Sequence, residues 1–322
     1  MKINIKDLIL RNNNSGLLIS ALILFFILSI FSSSFLTSYN IFTIGRTTAM
    51  YAIIGLSQAI VLVVGDMNLS VGAIGGLSTI TAGYFMSVHG YNGTLSVLLA
   101  LLVSLAAGFF NGIIITKFKI NAFIVTLGTS FFFTGIIYGL TRGEAFLNIP
   151  KSFLFLGRND FYGIPYMFLF IILVLIIIFI FFKYTLTGRR ILLTGENIKA
   201  AEFSGININN IKLLSHILSG FMAGVAGVIY ISRLGSSQPR VGQDWLIISF
   251  AVAIIGGTLL TGGSFTSFGL LLGAVIMVLI KNGLVLLKVD IYWEQSFLGI
   301  LIVAAVGIDR IRQIYRKKIL LN

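Results

Sequence analysis

The sequence predicts an all-α, polytopic integral membrane protein of about ten transmembrane helices, with both termini cytoplasmic. Three observations carry that expectation. Of 322 residues, 57% are hydrophobic and only 10% charged, and the mean hydropathy is +1.02, far above what a soluble globule carries. Apolar runs of the ~20 residues that a bilayer-crossing helix needs recur from end to end, and no membrane strand uses such long runs. Lysine and arginine outnumber acids 23 to 10, for a net charge of +13, and they are spread unevenly over the loops. Ten spans of ~20 residues leave about 120 for loops and ends, so 1–322 reads as a single transmembrane domain. With no cysteine, disulfides, thiolate metal sites and a cysteine nucleophile are excluded.

The spans fall at about 17–36, 44–64, 70–87, 94–116, 122–141, 162–182, 213–231, 245–261, 266–287 and 295–308. The first follows Lys2, Lys6 and Arg11, as a signal-peptide core would. Its apolar run continues through Phe35 and Leu36, however, and Ser32 to Ser34 make a poor cleavage site, so it reads as an uncleaved anchor. Placing both ends inside puts fifteen basic residues in cytoplasmic segments, including Lys117, Lys119, Arg189, Arg190, Lys212 and the cluster Arg310 to Lys318. Seven fall outside: Arg46, Arg142, Lys151, Arg158, Arg233, Arg240 and Lys288. That bias is the positive-inside pattern, and it makes the basic excess a topology signal with no nucleic acid implied. Lys281 lies within the ninth span, near its outer end.

Two longer segments lie between spans. Residues 142–161 carry Pro150 and Gly157 and read as an irregular external loop. Residues 183–212 differ in kind. Asn197 can cap a short helix through Phe203, and Gly205 is placed to end it. That helix reads either as a docking surface or as a surface helix resting on lipid headgroups.

Glycines at four-residue spacing recur inside the spans, as at Gly72 and Gly76, Gly108 and Gly112, Gly135 and Gly139, Gly220 and Gly224, and Gly269 and Gly273. They allow the close backbone approach that holds helices together in lipid. Two stretches, Gly65 to Gly72 and Gly256 to Gly263, interrupt the apolar pattern. Each is either a backbone break lining a path or a tight turn at the cytoplasmic surface. Ion-coupled transport needs ionisable groups inside the bundle; Asp66 is nearly alone, with His216 near a span end. No metal-ligand cluster or nucleophile motif stands out, and the dipeptide Gly-Lys of a phosphate loop does not occur. An enzyme is not expected, and no cofactor.

Four segments then resemble one family, the permease subunits of bacterial ATP-binding-cassette importers for simple sugars, the group of the ribose, xylose, galactose and autoinducer-2 permeases. Gly65 to Gly72 looks like its Gly-Ile-Asp-Leu-Ser-Val-Gly segment. Gly108-Phe-Phe-Asn111-Gly112, followed by Ile120 to Thr129, is similar to its Gly-x-x-Asn-Gly and Phe-Ile-x-Thr-Leu-Gly-Thr pair. Thr187 to Asn207 resembles its cytoplasmic coupling segment, and Ser232 to Leu234, Gln238-Pro239 and Ile255 to Gly263 its carboxyl-terminal half. The resemblance covers about 17–310.

It implies a translocating subunit for a monosaccharide or related small polar solute in the bacterial inner membrane. Its partners would be a separate ATPase subunit that uses the ATP, an external sugar-binding protein, a second permease subunit and the surrounding lipid. The coupling helix would present Asn197, Ala200, Ala201, Glu202 and Gly205 to the ATPase. The path would be lined by Asp66, Asn68, Ser70, Asn111, Thr126, Gly256, Gly257 and Thr258, each with packing as the alternative. Departures fall at Asn68, where relatives commonly carry Asp, and at Leu246 to Ser249, which aligns with a Glu-Leu-x-Ala element. The competing class is an autonomous ion-coupled transporter or channel.

Overall fold

A computed structural model describes residues 13–290 and scattered positions between 293 and 307. Most of the expected tenth span at 295–308, the amino-terminal basic residues and the cluster from Arg310 to Lys318 therefore lie outside the described residues. Between them the chain is almost entirely helical, and seven helices are long and apolar enough to cross a membrane. These are α1 (Asn13–Phe31), α2 (Ser38–Val63), α4 (Gly93–Phe118), α5 (Ala122–Thr141), α7 (Tyr166–Tyr184), α10 (Ile208–Leu234) and α12 (Ser267–Leu286). Each matches an expected run to within a few residues at its ends. Two others differ from the expected spans in a way that matters. α3 (Val71–Ser87) is a 17-residue helix, and α11 (Trp245–Ile255) has only 11 residues, about 16 Å at 1.5 Å per residue. The expected span at 245–261 thus stops six residues short, because Gly256 and Gly257 end the helix.

The long segments contain more structure than their sequences suggest. The 142–161 segment folds into a 3-10 turn (Lys151–Leu154) and a single helical turn, α6 (Phe155–Arg158). It then enters a two-stranded ribbon of β1 (Asp160–Phe161) and β2 (Ile164–Pro165). The 183–212 segment forms two helices where one was expected, α8 (Leu186–Glu196) and α9 (Ile198–Phe203).

α10 is the central post of the bundle, packed on α2, α3 and α4. Its glycines explain how closely they approach. A methyl group on Gly220 would sit 2.8 Å from the Cα of Gly108, so α4 and α10 meet backbone to backbone. Between α3 and α10, Ser78 and Thr79 donate their hydroxyls to the carbonyls of Gly224 and Gly227 at 2.9 and 3.0 Å, bonds that such proximity alone permits. Four of the five glycine pairs read from the sequence are packed in this way. Gly135 and Gly139 on α5 are not: a side chain there would meet nothing within 4 Å.

The two short helices begin inside the bundle. After α2 the chain turns at Gly65 and climbs back, so that Asn68 lies level with Gln58, five residues before the end of α2. After α10 the segment 237–244 descends along the glycine face of α3, with Ser237 beside Gly83, Val241 beside Gly76, and Gly242 against Gly72. α11 then starts with Trp245 packed on Gly75. This packing predicts that Gly220→Leu lowers stability by at least about 1–3 kcal/mol through overpacking at the α4–α10 crossing, read as thermal unfolding in detergent. Gly135→Ala, facing open space, should change it by less than about 0.5 kcal/mol.

Candidate coupling and translocation site

The segment expected to couple is built by local capping. Thr185 caps α8 by accepting from the Gly188 amide at 3.0 Å. Asn197 ends that helix and caps the next, accepting from the Ala200 amide at 3.0 Å. Gly205 takes the left-handed conformation, φ +77°, that closes α9 and lets Ile206 donate back to the Ala201 carbonyl at 3.1 Å. Asn207 then caps α10. α9 has two faces. Ala201 is buried against the bundle, whereas Asn197, Ala200 and Glu202 are exposed. Phe203, which the sequence reading missed, stands 92% exposed beside them. Its signal was a lone aromatic at the end of a short polar helix.

α8 does not lie apart from the bundle. Gly195 sits so tightly against the Val63 carbonyl and the Gly263 amide that a methyl group there would overlap both. The Gly263 amide donates to Val63 O at 2.9 Å, and Gly262 packs on the backbone of Gly195. Three segments distant in sequence, the end of α2, the end of α8 and the second break, therefore meet at one point.

The first break is buried from Asn68 onward, and its polar side chains are engaged. Asn68 Oδ1 accepts from the Ser70 amide and hydroxyl at 2.9 and 2.6 Å, and Asn68 Nδ2 donates to Ser219 Oγ at 2.9 Å. Asn111 Nδ2 donates to Ser70 Oγ at 2.8 Å, and Thr126 Oγ1 accepts from the Leu69 amide at 3.0 Å. The Gln58 amide, turned with its nitrogen toward the Asn68 carbonyl, spans 2.8 Å to it. Asn68, Ser70, Asn111 and Thr126 are all fully buried. The structure thus brings four of the expected path residues together as a cross-brace between α3, α4, α5 and α10. In the second break Gly256 packs on Gly269 and Leu270 of α12, Gly257 has φ +87°, and Thr258 is buried.

Asp66 is placed differently. It lines a cleft of about 680 Å³ between the first break, the α4–α5 turn and the α9–α10 corner. Lys212 Nζ lies 2.6 Å from one carboxylate oxygen and His216 Nε2 3.4 Å from the other. Lys212 and His216 are one turn apart on α10, a spacing that puts both on one face; the 146 and 150 residues separating them from Asp66 hid the pairing. A carboxylate held between two basic groups is already engaged.

The family model for the permease component of branched-chain amino acid transport systems matches residues 40–306. The chain belongs to this permease family. Among its relatives, the ribose import permease protein RbsC of Bacillus subtilis (strain 168) is 35% identical over 298 residues, 92% of each chain. The protein of that name from Escherichia coli (strain K12) is 32% identical, over 92% of this chain and 93% of its own. The autoinducer 2 import system permease protein LsrC of Photorhabdus laumondii is 30% identical over 97% of this chain and 94% of its own. No solved structure matches. Family and apolar helices together make this a multi-pass inner-membrane permease.

Asp66→Asn should destabilise the fold by about 1–3 kcal/mol, because it leaves the Lys212 ammonium without its partner. Adding Lys212→Met should recover part of that loss, a coupling above about 0.5 kcal/mol in a double-mutant cycle of unfolding. Additive effects would show that the pair is not engaged.

Proposed function

We propose that this permease is the membrane-spanning subunit of an ATP-driven importer for a monosaccharide or related small polar solute. On this reading a separate ATPase subunit docks on α8–α9, an external binding protein delivers solute, and a second permease copy completes the pore. The observation that carries it is the three-way contact of Val63, Gly195 and Gly263. A segment displaced at α9 pulls directly on both breaks, which is what coupling of a cytoplasmic motor to a path requires. The relatives named for ribose and autoinducer-2 import favour a polar, hydroxylated solute.

The finer topology goes with this reading: ten spans and both termini cytoplasmic, so that the α8–α9 corner faces the cytoplasm and the 142–165 ribbon the outside. We place the second copy on the uncovered face of α5, where Gly128, Gly135 and Gly139 leave open space for another backbone. Among the expected path residues, Asp66 is the one that lines the cleft, where it serves as a latch between the first break and α10. Asn68, Ser70, Asn111 and Thr126 act as the brace that carries movement to α4 and α5. Asp66 is paired with Lys212 and His216, which disfavours an ion relay.

Reconstituted with its ATPase and binding protein, the permease should take up sugar at the expense of ATP. Uptake by this chain alone, driven by an ion gradient, would overturn the reading. Phe203→Ser removes an exposed aromatic whose burial against a partner contributes about 2 kcal/mol. It should weaken the permease–ATPase complex by about thirtyfold, measured as its dissociation constant in detergent, with insertion and unfolding temperature unchanged.

A further inference from the structure

A smaller cavity, of about 220 Å³, lies where the two short helices begin. One wall is the start of α3 at Gly72; another is the descending segment at Gly242 and Gln243; the third is α5 at Ser130, Phe131 and Thr134. It opens beside Phe131 of α5, which is 73% exposed.

The polar groups here are arranged along a line. Thr126, Ser130, Thr134 and Tyr138 recur every four residues, one face of a helix, over about 18 Å of α5. The inner end of the row is Thr126, bonded to the first break. The outer end is Tyr138, whose hydroxyl accepts from Gln243 Nε2 at 3.1 Å. Between them Ser130 and Thr134 make no side-chain hydrogen bond among the described residues. By contrast, Thr81, Thr116, Thr141 and Ser104 all return their hydroxyls to the carbonyl four residues back. The two short helices that begin at the cavity are also uncapped: neither Ser70 at α3 nor Asp244 at α11 accepts a side-chain cap bond, whereas Thr37, Asn92, Asn121 and Thr266 do so at their helices.

Free hydroxyls and a side-chain amide at membrane depth are costly against lipid, and they are tolerated where they line water or a polar ligand. We propose that this cavity is a hydroxyl-binding subsite for the transported solute, half-way along the path. Ser130, Thr134 and Gln243 exchange hydrogen bonds with sugar hydroxyls, and Phe131 covers the apolar face of the ring. The volume suits one small sugar. The subsite rests on the importer reading above, and it gives that importer's substrate class a location.

The absence of cysteine from the chain makes the test clean. Ser130→Cys, Thr134→Cys and, on the other side of α5, Phe132→Cys are each made in the full transporter in liposomes. They are treated with a small charged methanethiosulfonate, with labelling read on the permease. The probe sugar is whichever of ribose, xylose or galactose the wild-type transporter accumulates. Labelling at 130 and 134 but not 132, slowed several-fold by that sugar, is the expected result. Thr134→Val should lower sugar uptake per ATP hydrolysed about fivefold, the worth of one hydrogen bond, and Thr134→Ser should restore it. No labelling at 134, labelling that the sugar does not slow, or full uptake by Thr134→Val would each overturn the subsite while leaving the importer reading intact. Failure of the wild type to accumulate any of the three sugars with ATP would count against that reading instead.

Discussion

A helix that ends buried within a protein leaves carbonyl groups that no solvent can reach. Val63 is such an end: it is the last residue of α2, and its carbonyl is satisfied by the Gly263 amide, 200 residues further along the chain. A buried carbonyl left unpaired costs several kcal/mol. The two breaks are therefore bound to each other by the same requirement that makes them breaks. Gly195 fits over this bond only because it has no side chain, and through it the α8–α9 segment becomes part of the same structure.

The other features follow from that arrangement. Because the chain turns at Gly65 and re-enters before α3 begins, the polar groups of the first break lie within the bundle and require partners from α4, α5 and α10; Asn111, Thr126 and Ser219 supply them. Because α11 is short, the segment before it must reach down to meet it, and the glycine face of α3 makes room for an extended backbone there. Small residues thus do two jobs in this fold. On α4 and α10 they bring helices together, and on α3 they admit a non-helical segment whose ends define a polar cavity.

Much of this was legible in the residues. Seven helices show as uninterrupted apolar runs, and the caps at Asn197 and Gly205 show in local sequence, since such capping depends on neighbours within a few positions. Both breaks announced themselves through Gly65 and Gly256–Gly257. The length of α11 did not, since Leu259 and Leu260 continue the apolar pattern past the helix end. The partners of Asp66, the seat of Gly195 and the exposure of Phe203 were hidden for a common reason. Each depends on which distant segments meet, and periodicity carries no record of that. The row from Thr126 to Tyr138 was present in the sequence at helical spacing, yet its meaning needed the knowledge that nothing else bonds its middle members.

The central claim is that the coupling segment and the second break move as one piece. Spin labels on Cys substituted for Glu202 in α9 and Thr261 in the second break, both exposed positions, report this directly by pulsed electron resonance in the complex with the ATPase. Between nucleotide-free and ATP-bound states the distance should hold within about 2 Å, the scale of a small helix shift. A change well beyond that, with transport still active, would show that motion at α9 is not passed through Gly195 to the breaks.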